Sequence, residues 1–211
     1  MAVTHRRKLK LYPTGMRLHE WIALEENFWA DEGIDAEYMW DTIRAGYSYK
    51  AEPYKGRPQD QPMLRGDGAV TNACAWGSVQ NAGAGMGKFS AGAYGVARNA
   101  IFVQPDSPIN RPEDLAGAPI GVGLRAGSHF SAPLCLEKYL PLDDINCVNV
   151  GGFGTRLQAI LSGEMPAANL LDPQISMAEE LGLKKVIEGT FNTLWWTPAG
   201  IDPELLEAYF R

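Results

Sequence analysis

Two spacings of apolar residues alternate along this chain, one of two residues and one of three to four. Residues 8–12 alternate and stop at Pro13, the pattern of a strand. Thr14-Gly15 opens a helix in which Leu18, Trp21, Ile22, Leu24 and Phe28 recur at helical spacing. This predicts a helix over 17–30, ended by Gly33. Ile34, Ala36, Tyr38 and Trp40 return to the period of two. Residues 68–71 read as a short strand, 72–78 as the entry to a small-residue helix, and 93–103 as an apolar strand.

The second half alternates more regularly. A proline-marked turn at 107–110, a helical turn at 111–115 and a stop at Gly117 lead into a buried strand. The glycine loop after it carries Ser128, placed to cap the next helix. Strands are expected over 119–123, 145–150, 167–171 and 184–187, and helices over 128–139, 153–161 and 173–181. A returning strand over 192–196 and a helix capped by Asp202 close the chain. Strands alternating with helices mean an α/β fold with mostly parallel pairing. Residues 41–66 break the pattern: three prolines, three tyrosines (Tyr47, Tyr49, Tyr54) and five basic residues follow no period. A stretch this long is either functional or disordered, and the tyrosines favour an ordered loop.

Composition narrows the function. At 211 residues the chain is one large domain or two small lobes. Its 45% apolar and 21% charged residues are those of an ordinary globular protein, and a formal charge of −6 argues against a nucleic-acid partner. No apolar run approaches membrane-spanning length. The basic start lacks the apolar stretch of a secretory signal, so the expected compartment is cytoplasmic as written, or periplasmic if a leader was removed. Cys74, Cys135 and Cys147 have no paired spacing and read as free thiols, the last two as core. Gly121, Gly123 and Gly127 do not fit the dinucleotide spacing, and Gly83 to Lys88 is not a phosphate loop. No cofactor and no metal are expected.

In an α/β sheet, ligands bind beyond the carboxyl ends of strands, where helix N-termini offer unpaired amides to anions. Four such loops carry the candidates: Thr14, Gly15, Arg17 and His19; Asn72, Cys74 and Trp76; Gly127, Ser128, His129 and Phe130; Gly152 and Phe153. Arg17 is an anion anchor. His129 sits at a glycine-loop helix start, and Cys74 at a helix N-terminus would have a lowered pKa and nucleophilic character. Each has a plainer role as well. Arg17 and His19 suit a solvated helix start, Cys74 a small buried side chain, and Trp76 core or hinge packing.

The segment Ser107-Pro-Ile-Asn-Arg-Pro-Glu-Asp-Leu-Ala-Gly-Ala-Pro-Ile-Gly-Val-Gly123 resembles the start of the second lobe in the type 2 periplasmic-binding-protein fold. The similar branch includes sulfonate-, nitrate- and thiamine-precursor-binding proteins. "FWADEGIDAEY" over 28–38 is similar to that fold's opening. The resemblance implies lobe one over 1–100 with a 41–66 insertion, lobe two over 101–190, and a return to lobe one over 191–211. It also implies a ligand cleft formed by the same four loops, with Asp172 as an acidic residue at a lobe-two strand end, and the 41–66 loop would lie over that cleft. In the resembled family further lobe-one helices follow, and they are absent from this sequence. A bare lobe-one face is therefore expected, covered by an identical chain or a second polypeptide.

Two functions follow. One is a small-molecule binding protein for an organic anion or aromatic acid, like the solute-binding component of a sulfonate-, nitrate- or taurine-type ABC uptake system. The other is a cytoplasmic lyase or hydrolase using Cys74, His129 and His19 with Arg17. Aromatic sulfinate desulfinases in the resembled branch carry their cysteine after the first strand, where this chain has Gly15-Met16. The cysteine-rich motif of the thiamine-pyrimidine enzymes is also missing.

Overall fold

The computed structural model of the chain describes residues 7–11, 18–38 and 70–211. Thr14, Gly15, Arg17 and the 41–66 segment lie outside the described residues. Strand β1 (Arg7–Leu11) pairs in parallel with β2 (Ile34–Tyr38), and between them run α1 (Leu18–Glu25) and α2 (Phe28–Asp31). The helix expected over 17–30 is thus two. Asn27 takes a left-handed φ of 62°, which asparagine tolerates better than most residues, and it divides them. Leu11 bridges in parallel to Val70, which places β3 (Thr71–Cys74) beside β1.

Beyond β3 come α3 (Ala75–Gly83), β4 (Lys88–Val103), β5 (Pro119–Val122), α4 (Gly127–Leu136) and β6 (Asn146–Asn149). Then follow α5 (Phe153–Leu161), β7 (Ala167–Leu171), α6 (Gln174–Glu180), β8 (Lys184–Thr197) and α7 (Pro203–Phe210). One sheet has the order β3-β8-β4-β7-β5-β6. β5 pairs in parallel with both β6 and β7, as strand–helix alternation predicts. Among the described residues the antiparallel pairs all involve β4 or β8, the two longest strands.

Their length corrects the sequence expectation. The strands read as 184–187 and 192–196 are one continuous strand, and β4 begins at Lys88, not at 93. Pairing runs from Lys88 opposite Thr197 to Val103 opposite Lys184, with irregularities between Ser90 and Tyr94 and between Ile101 and Phe102. The sequence breaks at Gly189 because glycine carries no side chain to mark a period. A Cβ added there would lie 2.5 Å from Cys135 Sγ, so α4 presses directly on the strand.

The larger apolar clusters follow from this frame. Ile101 and Val103 face α4 and pack with Ile120, Val122, Ala132 and Leu136. Ala100 and Phe102, on the other face of the same strand, pack with Leu157 and Ile160 of α5 and Ile175 of α6. Apolar side chains on both faces make β4 read as a continuous apolar run. In lobe one, Leu9, Leu11, Ile34 and Val70 pack with Trp29, Trp195, Leu205 and Tyr209. Asp202 caps α7 as expected, its carboxylate accepting from the Glu204 N–H at 3.0 Å.

The tight passage at Gly189 yields a stability test. Gly189→Ala should cost about 1–3 kcal/mol through overpacking against Cys135. Adding Cys135→Ala should recover part of that loss, giving a non-zero coupling in urea denaturation of the two single variants and the double variant. Strict additivity would contradict this packing.

Candidate functional site

The ends of β3 and β5 meet across the two lobes. The sequence suggested that a helix begins at Asn72. Instead β3 continues to Cys74, because Thr71–Cys74 pairs along Thr193–Trp196 of β8. Asn72 is therefore a buried strand residue and not part of a loop. Cys74 is the N-cap of α3, and its sulfur accepts from the Gly77 N–H at 3.3 Å. Trp76 follows in the first turn.

On the facing lobe, the loop between β5 and α4 spends its backbone donors on the protein itself. Gly123 N–H donates to Ser128 Oγ at 2.9 Å, and Leu124 N–H donates to Asn149 Oδ1 at 3.0 Å. Arg125 N–H donates to His129 Nδ1 at 3.3 Å and Ala126 N–H to Gly123 O at 3.0 Å. Ser128 does not cap α4 as expected. Ala126 is the N-cap, and the fully buried Ser128 hydroxyl ties the loop back on itself. Arg125 holds the left-handed φ of 57° within this loop.

His129 is constrained twice over. Its Nδ1 accepts a hydrogen bond, so the neutral ring carries its proton on Nε2. Burial, and secondarily the Arg125 charge, hold its pKa below the ordinary histidine value, which favours that neutral form. His129 therefore keeps an N–H donor at Nε2 without bringing a full charge.

The two lobes touch where Gly127 begins α4. A Cβ on Gly127 would lie 2.6 Å from Phe191 Cζ and 3.3 Å from Cys74 Cβ, so only glycine fits. Cys74, Ala97, Leu171 and Phe191 form a small apolar core there, with Trp76 and Phe153 against it. The Trp76 ring stacks on Phe130 with centroids 5.5 Å apart and 21° between planes. It also lies 5.5 Å from Phe191, and His129 lies 5.4 Å from Phe130. The structure thus brings together Cys74, Trp76, Gly127, His129 and Phe130, with Phe153 at the edge. Phe191 was not foreseen. It falls in the gap between the two strands read from the sequence, and a single strand across that gap would have placed it at the crossing.

Three other candidates sit elsewhere. Gly152 is the N-cap of α5, and its carbonyl accepts from the backbone N–H and the Nε of Arg156, at 3.1 and 3.3 Å. The buried Arg156 guanidinium also donates to Asn169 O and lies 4.8 Å from the Phe153 ring centre. Asp172 pairs with Arg98 at 3.5 Å, and Arg98 pairs with Glu188 at 2.7 Å. Hydrogen bonds from Arg98 and Lys185 pull the Glu188 carboxyl down to about 2. Arg98 alternates with Ala100 and Phe102, so this ion pair lies on the sheet face opposite α4.

His19 belongs to a separate group in lobe one, its ring 5.5 Å from Trp195. It lines a cavity of about 570 Å³ with Glu20, Trp29, Trp195 and Tyr209. The buried Glu20 carboxylate accepts from Trp195 Nε1 at 3.2 Å and from the Tyr209 hydroxyl. Burial, then the Glu20 charge, push the Tyr209 pKa well up, and the same two causes raise Tyr38 to about 12. Among the described residues no three His, Cys, Asp or Glu side chains come together as metal ligands, and no helix is long and apolar enough to cross a membrane.

No family model and no curated protein matches the sequence. Solved structures do. A protein from Bordetella bronchiseptica RB50 superposes with a TM-score of 0.64 at 18% identity, over 95% of this chain and 65% of that one. A putative periplasmic sulfonate-binding protein, SsuA from Methylobacillus flagellatus KT, gives 0.59 at 14% identity, over 97% and 66%. The chain has the type 2 periplasmic-binding-protein-like fold. The desulfurization enzyme DSZB shares it, with a TM-score of 0.57 at 17% identity over 96% of this chain and 73% of its own. The chain thus spans about two thirds of the length of the Bordetella and Methylobacillus proteins. At these identities the likeness establishes the fold alone.

Proposed function

We propose that this chain holds a small organic anion or aromatic acid in the cleft between its lobes, as the solute-binding component of a sulfonate-, nitrate- or taurine-type ABC uptake system. The observation that carries this reading is the meeting of the α3 and α4 starts, with Cys74 and Trp76 on one lobe and Gly127, His129 and Phe130 on the other. Helix starts favour negative charge, and a neutral His129 supplies a directed donor. Thr14, Gly15 and Arg17 follow β1, which neighbours β3, so Arg17 is the proposed charge partner of the anion. The fold neighbours include a sulfonate-binding protein, which supports small-molecule binding. Such a protein closes on its ligand by hinge motion, here about β4 and β8. The domain division at about 100 and 190 and the cover provided by residues 41–66 belong to the same reading.

One observation favours an enzyme as the second reading. Cys74 caps α3 beside the backbone of Gly127, and a desulfurization enzyme shares the fold. Cys74 and His129 would then act on a small anionic aromatic as a lyase or hydrolase. His19, which packs on Trp195, would need to serve from outside that pair. Periplasmic location goes with transport and cytoplasmic location with catalysis.

Thermal melting with nitrate, taurine, benzoate and benzenesulfonate tests the cleft. An anion at ~100 times its Kd should stabilise the protein by about 2.7 kcal/mol, or roughly 5–10 °C in Tm for a chain this size. Arg17→Ala with His129→Ala should abolish that rise, and an unchanged rise would move the site elsewhere.

The lobe-one surface carries a further part of the proposal. Leu18, Ile22, Phe28 and Phe210 are exposed, at 75%, 44%, 54% and 38%. An apolar face of this kind suits an identical chain or a second polypeptide. Light scattering of the purified chain should report a mass above 23.1 kDa at micromolar concentration. A sharp monomer would remove the partner from the account.

A further inference from the structure

The rings of Trp76 and Phe130 come from the starts of two different helices, α3 and α4, and stack face to face. Trp76 stands in the first turn of α3, whereas Phe130 stands in the first turns of α4. They are stacked at 5.5 Å and 21°, and both stay partly open to solvent, unlike the buried Phe191 beneath them. Behind the stack the space is already filled, because Gly127 abuts Phe191 and Cys74 too closely for any side chain. A ligand entering here meets a closed floor, two roughly parallel ring faces and His129 beside one of them.

We infer that the cleft takes a planar aromatic acid whose ring slides between Trp76 and Phe130, with its acidic group at His129 Nε2–H. The inference rests on the anion-binding reading of the cleft and narrows it to a ligand shape. A ring inserted between them needs about 3.5 Å more separation between the two ring planes, one further van der Waals contact beyond the present stack. A small rotation about β4 and β8 supplies that opening, because the two rings move with opposite lobes. Without ligand the rings satisfy each other, so an aliphatic acid must break the stack and give nothing in return. An aromatic acid replaces one stacked contact with two. Charge alone does not make this distinction, because benzoate and cyclohexanecarboxylate carry the same carboxylate and nearly the same bulk.

Calorimetric titration of the full chain with benzoate, cyclohexanecarboxylate and acetate tests the inference. Benzoate should bind about tenfold more tightly than cyclohexanecarboxylate, the worth of one good ring stack. Trp76→Leu should bring the two within about twofold, while His129→Gln should weaken both by the same factor. Phe130→Leu provides the same comparison if Trp76→Leu does not fold. Equal affinity for the two acids in the unaltered chain, or a preference that survives Trp76→Leu and Phe130→Leu, overturns the ring slot and leaves the anion cleft standing. Failure of all three acids to bind overturns the anion cleft and the slot together.

Discussion

The pairing of β4 with β8 is the constraint on which the rest of this molecule depends. The two strands are hydrogen-bonded to each other almost from end to end. Further strands add to each edge of that pair, β3 on β8 and β7 on β4. A pair of strands resists stretching but yields to twist, and the register irregularities at Ser90/Tyr94 and Ile101/Phe102 are places where such ladders bend. The same pair explains why α4 sits so low on the sheet. Gly189 removes the side chain that would otherwise hold Cys135 away, and α4 can then bring Gly127 onto Phe191.

The loop before α4 has fewer free amides than a count of helix starts would suggest. The loop before α4 has its first amides committed to Ser128, Asn149, His129 and Gly123. His129 keeps its Nε2–H on that side of the loop. The rings of Trp76 and Phe130 lie beside it, both partly exposed. An arrangement of this kind discriminates by shape and desolvation more than by net charge.

Much of this was legible in the sequence. The strand–helix alternation and the Ser107–Gly123 signature pointed to the fold, and of the residues the strand-end rule named, Cys74, Trp76, Gly127, His129 and Phe130 lie close together. Other features were hidden for physical reasons. Periodicity cannot detect a left-handed Asn27, so one helix was read where there are two. A glycine without a side chain split β8 on paper, and Phe191 was lost in the gap. Cross-strand pairing, which no local pattern encodes, carried β3 through Asn72 to Cys74. The capping role expected of Ser128 failed because a buried hydroxyl closing its own loop satisfies the same donor–acceptor need. Tertiary placement also separated His19 from the cleft group, since α1 turns that ring onto Trp195.

The central claim is that ligand meets this protein at a neutral, Nδ1-capped His129. The chain has three histidines, His5, His19 and His129, so histidine-selective 15N NMR reads the site directly. The account predicts that His129 shows the Nε2–H tautomer at pH 7, and that its Nε2 resonance shifts on addition of benzoate while Nδ1 stays nearly fixed. A silent His129 with a moving His19 would place the ligand in the lobe-one cavity and contradict the account.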